Sequence, residues 1–410
     1  MRLLRLAWRN VFRHRRRTVI TFVAISVGLA AMILMDSMLG GFEVWTLRSL
    51  IAMETGHVKL HGTGYREEER NLPVNIVVAD PDAVSARLAE AGYERVTPRT
   101  VFATEIGTGT DQLPIMGIGI DLATDSRVFE YPEALVRGRW PQGRGEMLVG
   151  QELAKDLAVD TGGYVTLVVR TRAESWNALD FTVVGLLGTG SMLVDANAAV
   201  IALEDADELL VMNGAVTEVA VRLARREDAP AAREQIAGLG LDGVEGWTWR
   251  ELGQDVLDIS GTKGAVAGMV MLVVVIIAAV GIVNTMLMAV MERTREIGTM
   301  RALGFGYRQV MALFLFEGGF IGTFGSLLGT ALGIAATWIF AALKIDMTEM
   351  VAGMSGAGVT MPVRMYLHAE LDWAVVVQVL VFGVLVSLAA TLLPARRAAR
   401  VQPADALRKV

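Results

Sequence analysis

The stretch MERTREIGTMRALGFGYR, residues 291–308, decides the fold of this chain. It is a charged patch between two long apolar runs, residues 266–290 and 310–343. Because about 20 apolar residues cross the hydrocarbon core of a bilayer, both runs are predicted transmembrane helices and the patch is a loop at a membrane face. Its arginines predict the cytoplasmic face by the positive-inside rule. They are Arg293, Arg295, Arg301 and Arg308. Such a loop suits a membrane protein that receives force from a soluble partner.

Apolar residues make up 53% of the 410 residues, which is high for a soluble protein. They concentrate in four segments, near 18–38, 266–290, 310–343 and 373–393. The intervening chain near 40–264 has the mixed composition of a water-soluble domain. The sequence therefore predicts an α-helical membrane protein with four transmembrane helices, arranged one plus three, and a large α+β extracytoplasmic domain between helices 1 and 2.

Charge is strongly segregated along the chain. Residues 41–265 carry 35 acidic and 20 basic side chains, whereas the rest of the chain carries 9 and 18. Most of these latter bases lie in the N-terminal arm, in the 291–308 loop and in the tail after Pro394. The positive-inside rule predicts that these three parts are cytoplasmic and that the acidic domain is periplasmic. We therefore expect a multi-pass protein of the inner (plasma) membrane with both termini in the cytoplasm.

The predicted layout has nine parts. They are a cytoplasmic interfacial amphipathic helix (1–17), transmembrane helix 1 (18–40), the periplasmic α+β domain (41–264), transmembrane helix 2 (265–290), the cytoplasmic loop (291–309), transmembrane helix 3 (310–343), an external loop (344–371), transmembrane helix 4 (372–394) and a cytoplasmic tail (395–410). At about 1.5 Å per residue, the third run extends over about 51 Å, against a core of about 30 Å. It is expected either to tilt and protrude or to break near Gly318-Gly319.

Strand-like and helix-like runs alternate in the large domain. The predicted strands are 57–60, 76–78, 113–120, 147–149, 164–169, 181–187, 198–202 and 217–223. The predicted helices are 81–91, 151–157, 204–211 and 229–239, followed by a linker helix at 247–259.

The N-terminal arm is predicted to be an amphipathic helix. At helical spacing, one face carries Leu4, Trp8, Val11 and Phe12, and another carries Arg2, Arg5, Arg9, Arg13 and Arg16. This pattern is typical of a helix that lies in the headgroup plane, although plain topogenic charge is the alternative. The following apolar run is longer than that of a usual signal peptide, which favours an uncleaved anchor.

The search for chemistry finds no catalytic, cofactor-binding or metal-binding residues. No G-x-x-x-x-G-K-[ST] phosphate loop occurs in the sequence, so ATP hydrolysis is expected in a partner subunit and this chain is not predicted to be an enzyme. His57 and His61 are four residues apart, but they lie in a strand-like segment without a nearby carboxylate cluster. A structural role is predicted for both histidines.

The 291–308 loop carries more than charge. Glu292 and Arg295 are spaced to pair on a helix. Ile297, Met300 and Leu303 form an apolar strip that a partner groove could accept. Three glycines are expected to end or bend the helix. They are Gly298, Gly304 and Gly306. The alternative is an ordinary cytoplasmic loop that obeys the positive-inside rule.

The string ERTREIGTMRALG, residues 292–304, resembles the coupling helix of the MacB/FtsX-type, or type VII, ABC transporter permeases. The tail LPARRAAR at 393–400 with PADALR at 403–408, and the arm around WRN at 8–10, are similar to the same family. Features at 37–42 and 56–58 resemble the lipoprotein-releasing members most closely. Together these matches extend over the whole chain.

The resemblance implies two permeases paired with two separate ATPase subunits, which hold ATP-Mg. It also implies that the coupling residues dock in the ATPase and that motion passes to a MacB-like periplasmic domain. These residues are Glu292, Arg293, Arg295, Glu296, Ile297, Gly298, Met300, Arg301, Leu303 and Gly304.

Two features of the third run stand out. Glu317 is an intramembrane charge, for which we predict a structural role close to the cytoplasmic interface, either by snorkelling or by pairing with an arginine. Gly325, Gly329 and Gly333 repeat every four residues, which predicts a helix-packing face within the chain.

The expected function is that of an ABC permease subunit that relays ATP-driven motion, with lipoprotein release from the inner membrane as the leading hypothesis. The alternatives are a drug or peptide exporter that works with an adaptor, and a non-transporting scaffold that regulates a cell-wall hydrolase. Expected partners are the ATPase, a second permease as a homo- or heterodimer, membrane lipids, and lipoproteins or a periplasmic protein, without nucleic acid.

Overall fold

The computed structural model describes residues 2–13, 15–109, 112–343, 371–402 and 406. The chain divides into a membrane unit, formed from both ends of the chain, and an inserted domain over residues 44–258. Four helices in the described part are long and apolar enough to cross a membrane, which confirms the predicted number of spans. These candidate spans are Thr18–Thr55, Met271–Glu292, Tyr307–Leu343 and Trp373–Ala399.

The membrane unit is built from six helices of the described chain. They are α1 (Arg2–Arg13), α2 (Arg15–Leu50), α10 (Gln254–Glu292), α11 (Thr294–Ala302), α12 (Tyr307–Leu343) and α13 (Trp373–Ala399). Helices α2 and α10 are longer than the apolar segments predicted for transmembrane helices 1 and 2. Helix α12 is unbroken at Gly318-Gly319, and α13 continues through Pro394. The predicted external loop falls almost entirely outside the described residues.

Small residues bring α12 close to α2. A Cβ atom on Gly329 would lie 2.8 Å from the carbonyl oxygen of Ser26, and one on Gly333 would lie 2.9 Å from Cβ of Ile33. The Ser26 hydroxyl donates to the Gly325 carbonyl at 3.0 Å. The three glycines therefore form an intramolecular packing face, the role that their spacing predicts.

The inserted domain is an α+β structure around a ten-stranded mixed sheet. Its strands are β1 (Val58–Gly62), β2 (Val96–Gly107), β3 (Gln112–Ile120), β4 (Leu135–Gly138), β5 (Glu146–Gly150), β6 (Tyr164–Arg170), β7 (Trp176–Leu187), β8 (Ala198–Ala202), β9 (Glu218–Val221) and β10 (Val244–Thr248). The path through the sheet is β10-β1-β9-β2-β3-β8-β5-β7-β4, and β6 pairs with β2 and β7. The predicted fold class is confirmed.

Seven short helices connect the strands of this domain. They are α3 (Tyr65–Glu68), α4 (Pro81–Glu90), α5 (Gln151–Asp156), α6 (Met192–Asn197), α7 (Leu203–Leu210), α8 (Ala229–Ala237) and α9 (Trp249–Leu252). Helix α4 begins as its sequence predicts, with Asp80 accepting from the Ala83 N–H at 2.9 Å and Pro81 in the first turn. One apolar core surrounds Phe102 and Phe181, and another surrounds Leu60.

Several predicted elements of the domain were wrong. Strands β2, β4 and β10 were missed, whereas residues 76–78 contribute one bridge, between Val78 and Val216, and no strand. The predicted linker helix at 247–259 is instead the end of β10, the short α9 and the start of α10.

The helical connections enter the inserted domain beside each other. A π-helical turn, Ile51–Thr55, continues α2, and four of its five residues are buried in the domain core. The Ala52 carbonyl accepts the Glu130 N–H at 3.0 Å. Gly253, just before α10, lies against the Leu50 side chain so closely that a Cβ atom would clash. The end of α2 and the start of α10 are thus held in one packed region.

Candidate functional site

The charged loop forms a short helix that is set apart at both ends. Helix α10 ends at Glu292, and Arg293 leaves the helical conformation with φ −104° and ψ 13° before α11 begins at Thr294. At the other end, Gly304 adopts φ +93°, a left-handed conformation that glycine tolerates best. The continuous helix predicted from Glu292 is therefore corrected: Arg293 forms a corner between two helices.

A buried ion pair fixes this corner to α12. The Arg293 guanidinium donates to both Glu317 carboxylate oxygens, at 3.0 and 3.2 Å, and the two side chains are 8% and 7% exposed. The Asn10 side-chain amide of α1 donates to the same carboxylate at 2.6 Å. Burying either charge alone is costly, so each group depends on its partners. For Glu317, snorkelling and pairing with an arginine were the predicted alternatives, and the structure shows the pairing.

A second and more exposed link joins α11 to the arm. The Glu296 carboxylate accepts from Arg293 Nε at 3.1 Å and from Arg13 at 2.9 Å. Partial burial disfavours the charged carboxylate, but the hydrogen bonds and charges of Arg293 and Arg13 outweigh it, so the pKa of Glu296 lies below its ordinary value. Because the Arg13 and Glu296 side chains are 63% and 43% exposed, this contact contributes little stability by itself. It joins the end of α1 to α11.

The apolar side of α11 faces inward. Ile297 is fully buried in a cluster with Phe314 of α12 and Ala395 of α13, and Met300 packs against the same cluster. The Arg301 guanidinium donates to the Ala399 carbonyl at 3.2 Å. The prediction that Ile297 and Met300 offer an apolar strip to a partner was therefore wrong, because helices of this chain cover them.

The outward side of α11 mixes charge with small and apolar groups. Leu303 of the predicted strip is 78% exposed, and Met291 at the corner is 72% exposed. Glu292, Arg295 and Thr299 are also exposed. We call these five residues the outer face of α11, although Met291 and Glu292 lie at the end of α10 and Leu303 directly follows α11. A short helix that is fixed on its inner side and open on its outer side can accept a rigid partner.

Asn10 and Arg13 are members of this cluster that were not predicted. A signal for Asn10 existed: it is a polar residue between Ala7 and Val11 on the side of α1 that packs inward, where an amide needs a hydrogen-bond partner. The sequence could not identify that partner, which lies 307 residues away.

The described residues contain no group of three or more His, Cys, Asp or Glu side chains that could hold a metal ion. His61 Nδ1 lies 3.1 Å from the Thr217 carbonyl, and His57 Nδ1 accepts the Leu223 N–H at 2.8 Å. Both histidines therefore contact the backbone of the inserted domain, as a structural role requires.

Comparison with known families identifies the chain. Residues 18–239 match the model of the MacB-like periplasmic core domain, and residues 268–403 match the FtsX-like permease C-terminal domain. The chain is an ABC transporter permease of this family. In the permease, the corner at Arg293, helix α11 and Glu317 all lie within the FtsX-like region.

The relatives of this permease include two functional types. The lipoprotein-releasing system transmembrane protein LolC of Neisseria meningitidis is 26% identical, with 100% of this chain and 97% of LolC covered. The macrolide export ATP-binding/permease protein MacB of Escherichia coli is 23% identical, with 98% of this chain and 60% of MacB covered. A crystal structure of the MacB periplasmic region from Actinobacillus actinomycetemcomitans is 12% identical, covers 50% of this chain and 94% of its own, and has a TM-score of 0.35.

Proposed function

We propose that this permease is the membrane subunit of a complex in which a separate ABC ATPase docks on the outer face of α11. ATP-driven movement of the ATPase is relayed through α10 and α2 to the inserted domain. The work done is the release of lipoproteins from the inner membrane. The buried Arg293–Glu317 pair is the observation that carries this proposal, because it fixes the receiving helix to the bundle.

Force transfer requires a receiver that moves with the helices behind it. Helix α11 meets this need through the ion pair at its first corner, the apolar cluster around Ile297 and the Arg301 contact near its end. A push on α11 therefore displaces α12 and α13 as well, instead of bending a loose loop.

The path to the inserted domain is continuous in the chain. Helix α10 runs without a break from Gln254 to Glu292, and at its far end Gly253 packs on Leu50. Movement of α10 along its axis is thereby conveyed to the π-helical turn at the end of α2, which is buried in the domain core.

We favour lipoprotein release as the function because the LolC relatives match along nearly the full length of both chains. MacB, which is named for macrolide export, supports export as the alternative. Membrane vesicles that contain the permease, its ATPase and a radiolabelled lipoprotein distinguish the two. Lipoprotein release is supported if ATP makes lipoprotein appear in the soluble fraction with a carrier protein. It is overturned if no lipoprotein appears there and macrolide is taken up into inverted vesicles.

The proposed orientation places both termini and α11 in the cytoplasm and the inserted domain in the periplasm. The chain has no cysteine, so single cysteines report their side cleanly. Asp156→Cys, on an exposed helix of the domain, should react with a membrane-impermeant maleimide in intact spheroplasts. Thr299→Cys, exposed on α11, should react only after the membrane is opened. The reverse pattern contradicts the orientation.

Docking on α11 is tested by reversing one charge on its outer face. Glu292→Lys should lower ATP-dependent release at least tenfold while the protein still inserts, because an exposed carboxylate at the contact becomes a cation. Glu94→Lys makes the same change at an exposed site in the inserted domain and should keep full activity. If Glu292→Lys binds the ATPase and releases lipoprotein as well as the control, α11 is not the docking element.

A further inference from the structure

The N-terminal helix α1 is a second surface of the membrane unit whose structure points to a partner. It is held against α12 by its inward side. Ala7 is fully buried, Trp8 packs on Phe320 and Phe324 with ring centroids 5.3 and 5.4 Å away, and Asn10 reaches Glu317. Helix α1 is therefore a fixed part of the bundle surface.

The opposite side of α1 carries exposed positive charge. Arg5 and Arg9 are exposed one helical turn apart, and neither guanidinium forms an ion pair or hydrogen bond with a described residue. Arg13 follows on the same side and contacts Glu296 of α11. Two exposed guanidinium groups at this spacing can bind anionic oxygen atoms, which arginine contacts with two parallel hydrogen bonds.

Apolar side chains border this basic strip on both sides. Leu4, Leu6 and Trp8 are 47%, 41% and 40% exposed. A soluble partner would gain from one apolar patch, whereas apolar side chains that flank a row of arginines suit the boundary between headgroups and acyl chains. Tryptophan in particular is enriched at that boundary.

We propose that α1 binds the headgroups of anionic phospholipids through Arg5 and Arg9, while Leu4, Leu6 and Trp8 contact the acyl chains. The bound lipid holds α1 at the depth from which Asn10 and Arg13 contact Glu317 and Glu296. Lipid binding is measured without the ATPase, so its failure leaves the proposed docking on α11 untouched.

The test uses the purified, delipidated full chain in detergent, titrated with phosphatidylglycerol or with phosphatidylcholine of the same acyl chains and followed by native mass spectrometry. Wild type should prefer phosphatidylglycerol. The double variant Arg5→Gln/Arg9→Gln should bind it about 30-fold more weakly, because each basic residue near an anionic surface contributes roughly five- to tenfold. Higher salt should reduce this difference.

Matched variants control the experiment. Arg95→Gln/Arg172→Gln removes two exposed charges from the inserted domain and should bind lipid as wild type does. Arg5→Lys/Arg9→Lys keeps the charge and should retain most of the phosphatidylglycerol affinity. Equal binding of both lipids by wild type, or unchanged binding by the glutamine variant, overturns the proposal. The proposal is also overturned if Arg5→Gln/Arg9→Gln loses its association with the ATPase but keeps its affinity for phosphatidylglycerol, since the basic strip would then be a protein contact.

Discussion

Removal of the Glu317 carboxylate should release α11 from the bundle. In Glu317→Ala, the Arg293 guanidinium stays at a site where it is 8% exposed but loses both of its hydrogen bonds to Glu317, and Asn10 loses its acceptor. Removing one partner of a buried ion pair lowers the free energy of unfolding by about 3–5 kcal/mol. Glu296 still contacts Arg293 at 3.1 Å, so the lower end of this range, about 3 kcal/mol, is expected.

Thiol labelling measures this change directly because the chain contains no cysteine. Ile297→Cys places a single thiol on the fully buried side of α11, where it reacts only when the helix opens. If the free energy that holds α11 closed falls by about 3 kcal/mol, the population of the open state rises by about 100-fold, and the labelling rate rises with it. Thr299→Cys is exposed already and should label at the same rate with or without Glu317.

A compensating variant makes the test strict. Arg293→Met/Glu317→Leu removes both charges together, and replacing a buried pair by apolar groups is often neutral. Its Ile297→Cys labelling rate should return to within tenfold of the parent. If Glu317→Ala changes that rate by less than threefold, or if the double variant opens as much as the single one, the ion pair does not hold α11.

Two further predictions follow from packing and from burial. Gly329→Ala should lower the stability of the detergent-solubilised permease by about 1–3 kcal/mol because its Cβ atom would stand 2.8 Å from the Ser26 carbonyl oxygen. Gly281→Ala, whose Cβ atom would have nothing within 4 Å, should leave stability unchanged. Equal midpoints of thermal unfolding for the two variants contradict the packing face. Burial lowers the pKa of His61 from 6.5 to about 4, so the unfolded chain binds the proton first as pH falls. The free energy of unfolding, complete above pH 6.5, should therefore decline by about 3 kcal/mol towards pH 4. His61→Gln should flatten the pH profile of thermal unfolding, and an unchanged profile contradicts this prediction.

The membrane unit was predictable because its signals are local. A span needs only a run of apolar residues, and the charged ends of residues 291–308 mark where two spans stop. The exact helix ends were not predictable, because the end of α2 packs through Leu50 on Gly253, about 200 residues further along the chain, and this contact is not visible in local sequence.

Strand β2 shows why part of the domain escaped prediction. Val96–Gly107 contains Pro98, Arg99 and Glu105, which are unusual in the centre of a sheet. Arg99 is nevertheless 1% exposed, because Asp125 accepts from it at 2.6 and 2.9 Å and the Phe129 ring lies 3.2 Å from its guanidinium carbon. A pairing partner 26 residues away thus makes a polar segment into a buried strand.

The same limit explains the error at Ile297. Periodicity finds the apolar side of a helix but not what covers it. The cover here includes Ala395 and Ala399 of α13, about a hundred residues further along the chain. In the proposed docking, the ATPase would contact the charged, small and apolar residues that remain exposed on the outer face of α11, so we expect this contact to be sensitive to charge reversal.

A buried ion pair is weak evidence for stability, since its desolvation offsets much of its attraction. At Arg293 the pair is better understood as a device for orientation. One nitrogen of the guanidinium, Nη1, donates to both oxygens of Glu317, at 3.0 and 3.2 Å, and another, Nε, donates to Glu296 at the start of α11. This fork permits few orientations of the corner relative to α12. An apolar pair at these positions would keep the two helices in contact but would fix the orientation of α11 less, and the proposed docking requires its outer face to keep one orientation.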